Sequence, residues 1–153
     1  MTPEAIYWDS DAFLGWLQAE KGKVELCQGT LDRAKAGEVV IFTSALTLSE
    51  VLWMKGAPKI AKNKATIVRR FFRHSYIRVR NVTRAVSERA QDVVWDDGVK
   101  PKDAIHVATA LDAKVSALET FDEALIKRSG KIGTPPLIIR RPIGPKQQKL
   151  PFQ

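Results

Sequence analysis

The chain has 153 residues, 44% of them hydrophobic and 27% charged, a balance that describes an ordinary globular protein and fits a single domain with a sizeable core. Lys and Arg number 25 against 17 Asp and Glu, a formal net charge of +8 that favours a polyanionic partner. No apolar run approaches the roughly 20 residues of a membrane span, the opening Met1-Thr2-Pro3-Glu4 lacks a signal peptide's basic start, and Cys27 has no second cysteine to pair with, so a cytoplasmic protein without membrane contact is expected.

Ala5 to Trp8 is a β-prone run that ends at Asp9-Ser10-Asp11, and a helical stretch with Phe13, Leu14, Trp16 and Leu17 follows. Val24 to Ala36 reads as a helix despite Gly29, with Gly37 as its stop. Val39 to Phe42 is a buried strand, Thr43-Ser44 stand in capping position, and Leu46 to Met54 form a helix with Leu46, Val51, Leu52 and Met54 around Glu50, broken by Gly56-Ala57-Pro58. Lys59 to Phe72 is an amphipathic helix. Ile60, Lys64, Ile67, Val68, Phe71 and Phe72 supply its mostly core-facing side, and Lys59, Lys62, Thr66, Arg69 and Arg73 a basic stripe. Tyr76 to Arg80 alternates as a half-buried strand does, and a helix from Thr83 to Trp95 stops at Asp96-Asp97-Gly98.

The next stretch, Lys100 to Asp122, is the most informative. Pro101 suits a first helical position and Asp103 falls in the first turn, where the helix dipole favours an anion. Ala104, Val107, Ala108 and Leu111 repeat at the spacing of a buried helical stripe, so Asp103 borders an apolar face. Val115 to Leu118 reads as a buried strand with Thr120-Phe121-Asp122 at its C-terminal end. A helix from Glu123 to Arg128, a loop from Gly130 to Pro136 and a strand from Leu137 to Ile139 complete the domain, residues 1–139; residues 140–153 read as a loose, basic, proline-containing tail. Alternating strands and helices predict an α/β sandwich around a mostly parallel sheet.

In such sheets ligand sites gather at the C-terminal strand ends. Asp9 follows the first strand, Glu50 lies about two helical turns beyond the second, Asp103 opens a helix and Asp122 ends a later strand, so the four carboxylates can converge on one edge. Clustered carboxylates raise one another's pKa unless a cation neutralises them. Oxygen ligands suit Mg²⁺ or Mn²⁺, and such a site can activate water for in-line displacement at phosphorus. The sequence carries no His or Cys cluster for zinc, no Gly-rich phosphate loop and no Gly-x-Ser-x-Gly arrangement.

Asp9-Ser10-Asp11-Ala12-Phe13-Leu14 resembles the opening motif of PIN domains, and Thr43-Ser44-Ala45-Leu46-Thr47-Leu48-Ser49-Glu50-Val51 their second, whose glutamate is a metal-site acid. Asp103-Ala104-Ile105-His106-Val107-Ala108-Thr109-Ala110 is similar to the most recognisable segment of the VapC-type toxin ribonucleases, and Thr120-Phe121-Asp122 to their fourth motif. The resemblance implies a PIN-like three-layer sandwich and a Mg²⁺-dependent endoribonuclease using Asp9, Glu50, Asp103 and Asp122, with Ser10 and Thr120 orienting carboxylates. It implies water activated at the metal attacking the scissile phosphodiester to leave 5′-phosphate and 3′-hydroxyl ends. It also implies a cognate antitoxin, often sending an Arg into the acidic pocket, and a homodimer. Asp11 departs from the family's usual Asn.

Other readings accompany this one. His106, one turn from Asp103, reads as a packed or hydrogen-bonded histidine rather than a base; Asp92, Asp96 and Asp97 read as a solvated helix end, and Trp8, Trp16, Trp53 and Trp95 as core or dimer contacts. Lys62, Arg69 and Arg73, with Arg78, Arg80 and Arg84 beyond, either guide an RNA backbone or form a solvated face. A haloacid-dehalogenase-like phosphatase would use Asp9 and Asp11 but needs a Thr where Ala12-Phe13 stand, and leaves Glu50, Asp103 and Asp122 without work. A non-catalytic RNA- or partner-binding module, and an RNA-maturation nuclease with the same active site, are the remaining alternatives.

Overall fold

The computed structural model describes residues 2–53, 56 and 58–145. Its centre is a five-stranded sheet in which every pairing is parallel: β1 (Glu4–Trp8), β2 (Val39–Ser44), β3 (Ile77–Arg80), β4 (Ala117–Glu119) and β5 (Ile139–Arg140), in the order β3-β2-β1-β4-β5. The sheet expected to be mostly parallel is wholly so among the described residues.

Alternation along the central strands divides the core into two layers, because successive side chains leave opposite faces of a strand. Ile6, Trp8, Val39 and Ile41 face one side, where they pack with Ala12 and Phe13 of α1 (Ser10–Leu17), Cys27 and Leu31 of α2 (Val24–Lys35), and Val68 of α4 (Ala65–Phe71). Tyr7, Leu118 and Ile139 face the other, against Val86 and Val93 of α5 (Arg84–Asp97), Ala104 and Val107 of α6 (Pro101–Asp112), and Leu125 of α7 (Glu123–Ile126). Both faces are covered, which is why the strands read as continuous apolar runs.

Helix ends follow local chemistry. Thr83 caps α5 by accepting the Val86 amide at 3.1 Å, and Gly98 closes that helix in the left-handed conformation with φ 65°. Pro101 sits at the start of α6 as expected. Two stretches depart from the periodic pattern. The helix after β2, α3 (Ala45–Glu50), ends at Glu50 instead of running to Met54; the Leu52 carbonyl accepts the Ile60 amide at 2.9 Å, so the chain doubles back. Leu52 and Trp53 are left at the surface, and Met54 lies outside the described residues. Lys59 to Ala61 are likewise not helical: a 3-10 turn, Lys62–Lys64, precedes α4, and Ile67, expected in the core, is 67% exposed. That segment buries Val68 and Phe72.

The expected tail is ordered at its start. Arg140 belongs to β5, and the strand's continuation crosses α2 so closely that a Cβ on Gly29 would lie 2.1 Å from the Ile143 carbonyl oxygen. Lys146, Lys149 and Pro151 of that tail lie outside the described residues. No helix is long and apolar enough to cross a membrane among the described residues.

Candidate active site

The chain runs from β1 outward to β2 and β3, then returns to place β4 on the other side of β1. The crevice beyond the C-terminal ends of β1 and β4 is therefore the switch point of the sheet, where ligands of open α/β folds bind. A cavity of about 220 Å³ opens at the strand ends, lined by Asp9, Ser10, Asp11, Glu50, Asp103, His106 and Asp122.

Each carboxylate arrives on a different element. Asp9 follows β1 and caps α1: its Oδ1 accepts the Ala12 amide at 3.0 Å and its Oδ2 accepts the Thr120 hydroxyl at 2.5 Å. At 4% exposure, burial pushes its carboxyl up to about 7, against the opposing influence of His106, Thr120 and the Ala12 amide. Asp122 caps α7 through the Ala124 amide at 2.9 Å, while its own amide donates to Thr120 Oγ1 at 3.1 Å. Thr120 thus couples the strand ends of β1 and β4.

Glu50 ends α3, and its Oε1 accepts the Ser10 hydroxyl and faces His106 Nε2, each at 2.7 Å. Burial raises the Glu50 carboxyl, but the hydrogen bonds and charge from His106, the Ser10 hydroxyl and the Lys102 charge outweigh it, and the net displacement is downward. Asp103 stands in the first turn of α6; burial raises its carboxyl, the charges of Asp122 and Glu50 raise it further, and His106 and Lys100 pull the other way. Asp11 is raised by burial and by Asp122 and Glu20, with Lys23 opposing. Asp11 is thus a fifth carboxylate on the cavity wall.

The sequence reads His106 as packed or hydrogen-bonded, and it is both buried and hydrogen-bonded. On its other side Nδ1 lies 2.7 Å from the hydroxyl of Tyr7, itself fully buried. Its spacing from Asp103 already placed both on one face of α6. The part of Tyr7 had no sequence signal, since a tyrosine inside a buried strand reads as core. Glu119 was also missed. It is fully buried on the α2 side of the sheet, where Oε1 accepts the Trp8 indole N–H at 2.8 Å and the Thr30 hydroxyl at 2.7 Å, and Oε2 lies 3.6 Å from Arg140. This network ties β1, β4, β5 and α2 together without lining the cavity.

The basic residues are not drawn into the acidic cavity. Lys62, Arg69 and Arg73 are exposed, and Arg69 lines a separate apolar groove with Leu48, Leu52, Val68 and Phe72. Trp8 is buried and Trp16 packs on the core, but Trp53 and Trp95 are 72% and 74% exposed, so they are not core residues. Asp96 and Asp97 close α5 away from the cavity wall.

Among the described residues no three Asp, Glu, His or Cys side chains gather tightly enough to cage a metal ion. The donor set is nevertheless suited to a hard cation. It offers oxygen ligands, with Asp9 and Asp103 held above the ordinary carboxylate range by burial and, at Asp103, by like charge. An ion such as Mg²⁺ keeps several waters and takes one or two carboxylates directly, so a closed cage is not required.

Residues 6–131 match the family model described as PIN domain. No curated protein matches the chain significantly in sequence. Among solved structures the chain is similar to VapC20 of Mycobacterium tuberculosis, described as a sarcin–ricin loop cleaving toxin, with a TM-score of 0.56 and 21% identity over 77% of this chain and 90% of that one. At that identity the likeness is one of fold.

Proposed function

The chain belongs to the PIN domain family, whose members are nucleases, and we propose that it is a Mg²⁺-dependent endoribonuclease, the toxin of a toxin–antitoxin pair. The observation that carries this reading is the convergence of Asp9, Glu50, Asp103 and Asp122, from four separate elements, on one cavity at the switch point of the sheet. The net charge of +8 supports a polyanionic substrate. VapC20's description as a sarcin–ricin loop cleaving toxin supports RNA over other phosphodiesters.

In this reading Asp9, Glu50, Asp103 and Asp122 hold the ion, with Mn²⁺ an effective substitute and Asp11 adding charge to the wall. When bound, the cation supplies Lewis acidity toward water and the scissile phosphate. The chain's own residues do the rest. Thr120 holds the Asp9 carboxylate, Ser10 holds that of Glu50, and the separation of the basic stripe from the acidic cavity leaves Lys62, Arg69 and Arg73 to guide flanking backbone rather than the reacting phosphate. The partners that go with the reading are an RNA substrate, a cognate antitoxin that neutralises the acidic cavity, and a second copy of the chain, all in the cytoplasm.

The test is direct. Asp9→Asn and Asp103→Asn are each expected to abolish Mg²⁺-dependent cleavage of RNA while the far-ultraviolet spectrum stays that of the parent. Full cleavage by either purified variant refutes the site. A short adjacent reading frame encoding a small DNA-binding protein separates the toxin from an RNA-maturation enzyme built on the same cavity.

A further inference from the structure

Of the four acids, Glu50 is the one whose position depends most on other side chains. It terminates a helix of only six residues, and the chain turns back immediately beyond it. What holds the carboxylate is a pair of contacts to one oxygen, Ser10 Oγ and His106 Nε2, both 2.7 Å from Oε1. Two donors on Oε1 occupy its two lone-pair directions. Oε2 has no hydrogen-bond partner among the described residues and is the oxygen left for a ligand.

For His106 to hold Glu50, Nε2 must carry a hydrogen. A neutral imidazole has one N–H, and the partner of the other nitrogen selects which nitrogen bears it. That partner is the Tyr7 hydroxyl, 2.7 Å from Nδ1. Tyr7 and His106 are both buried, at 0% and 2% exposure, so no water competes for either contact. The Thr43 and Thr109 hydroxyls, which also face Tyr7, donate to the Trp8 carbonyl at 2.7 Å and the Ile105 carbonyl at 2.6 Å, so neither gives its hydrogen to the imidazole.

We propose that Tyr7 and His106 are positioning residues: the Tyr7 O–H donates to His106 Nδ1, the Nε2–H so specified donates to Glu50 Oε1, and Oε2 is thereby presented to a divalent cation. This places a core residue of β1, which does not itself line the cavity, in control of a carboxylate that reaches the site from α3. It rests on the metal reading above for its final step, whereas the tautomer is a property of the metal-free protein.

Two measurements test it. The chain has 2 histidines, His74 and His106, so their imidazole nitrogens are readily assigned by ¹⁵N NMR. At alkaline pH, where the imidazole is neutral, metal-free protein is expected to show His106 as the Nε2–H tautomer, and Tyr7→Phe to lose that single form; an Nδ1–H tautomer in the parent overturns the proposal. Second, Mn²⁺ affinity is measured by electron paramagnetic resonance with no RNA present. Tyr7→Phe and His106→Ala are expected to weaken Mn²⁺ binding by about 10- to 100-fold, the usual effect of losing a residue that orients a ligand. His106→Gln, whose side-chain amide donates from near the Nε2 position, is expected to recover most of the loss.

Equal Mn²⁺ affinity in parent and Tyr7→Phe overturns the positioning role. Should Tyr7→Phe fail to fold, the comparison of His106→Gln with His106→Ala decides the link from His106 to Glu50, equal affinity in those two overturning it, and the tautomer of the parent decides the link from Tyr7. A parent protein that binds no Mn²⁺ refutes the metal reading and with it the final step, while the tautomer result still decides the link from Tyr7 to His106.

Discussion

Replacing Asp9 by Asn changes the most buried acid of the cavity by one charge and almost no volume. In the metal-free protein burial lifts the Asp9 carboxyl from 3.8 to about 7, the nearby His106, the Thr120 hydroxyl and the Ala12 amide opposing it. The folded state therefore holds this proton more tightly than the unfolded chain. Its stabilising contribution is complete below pH 3.8 and is lost as the pH rises through about 7. At about 1.4 kcal/mol per pH unit, the loss at pH 8 is about 4 kcal/mol. Asn never ionises and escapes that loss. It also has one acceptor oxygen where Asp9 uses two, Oδ1 for Ala12 and Oδ2 for Thr120, so one hydrogen bond is lost at a cost of about 1–2 kcal/mol. The balance makes Asp9→Asn more stable than the parent by about 2–3 kcal/mol at pH 8, a rise in Tm of roughly 5–10 °C for a chain of this size. At pH 5 only the unfolded chain has ionised, the parent's loss is about 1–2 kcal/mol and offsets the hydrogen bond Asn lacks, so the two are expected to melt together. Calorimetry in EDTA at both pH values makes the comparison, and saturating Mg²⁺ is expected to shrink or reverse the difference at pH 8 by favouring the carboxylate. An Asp9→Asn protein less stable than the parent at pH 8, or a Tm difference identical at the two pH values, refutes the reasoning.

Charge reversal at Arg69 and Arg73 in a cleavage-deficient background is expected to weaken RNA binding and to flatten the slope of log affinity against log salt by at least about 1, because each lost phosphate contact on a single strand removes about 0.7. Fluorescence anisotropy across a salt series measures it, and an unchanged slope makes the stripe a solvated face. Gly29→Ala is expected to destabilise by about 1–3 kcal/mol, since its Cβ would meet the Ile143 carbonyl at 2.1 Å and the Gly144 backbone at 2.6 Å; a parental urea midpoint would show that the strand's continuation does not seat on α2. Thr83→Ala removes the acceptor of the Val86 amide, 3.1 Å away, and is expected to cost about 1 kcal/mol in chemical denaturation.

The sequence was most readable where one residue's chemistry decides its own backbone. Gly37 and Gly98 end helices with φ of 81° and 65°, Pro101 starts one, and Thr83 caps one, all signals carried by single positions. It was least readable between Leu46 and Phe72. There the apolar residues have helical spacing, but the Leu52 carbonyl is taken by the Ile60 amide, and among the described apolar residues of the segment only Val51, Val68 and Phe72 are deeply buried. Spacing says which residues could share a face. It does not say whether another element arrives to cover that face, and Ile67, Trp53 and Trp95 show the result when none does in the described residues.

The same division holds at the candidate site. Asp9, Asp103 and Asp122 were visible as acids at helix starts beside apolar runs, and those local positions are what the chain by itself determined: where strands end, where helices begin, and which carboxylates stand at the junctions. Only the tertiary structure decided that they meet. The bond from Thr120 to Asp9 spans 111 residues and exists because β4 returns to lie beside β1. The pairing of Glu50 with His106, the orientation of His106 by Tyr7, the arrival of Asp11 on the wall and the burial of Glu119 are contacts between segments that carry no mark of one another. A dihedral preference is written in one residue, whereas a hydrogen bond between distant residues depends on the order of the strands that bring them together.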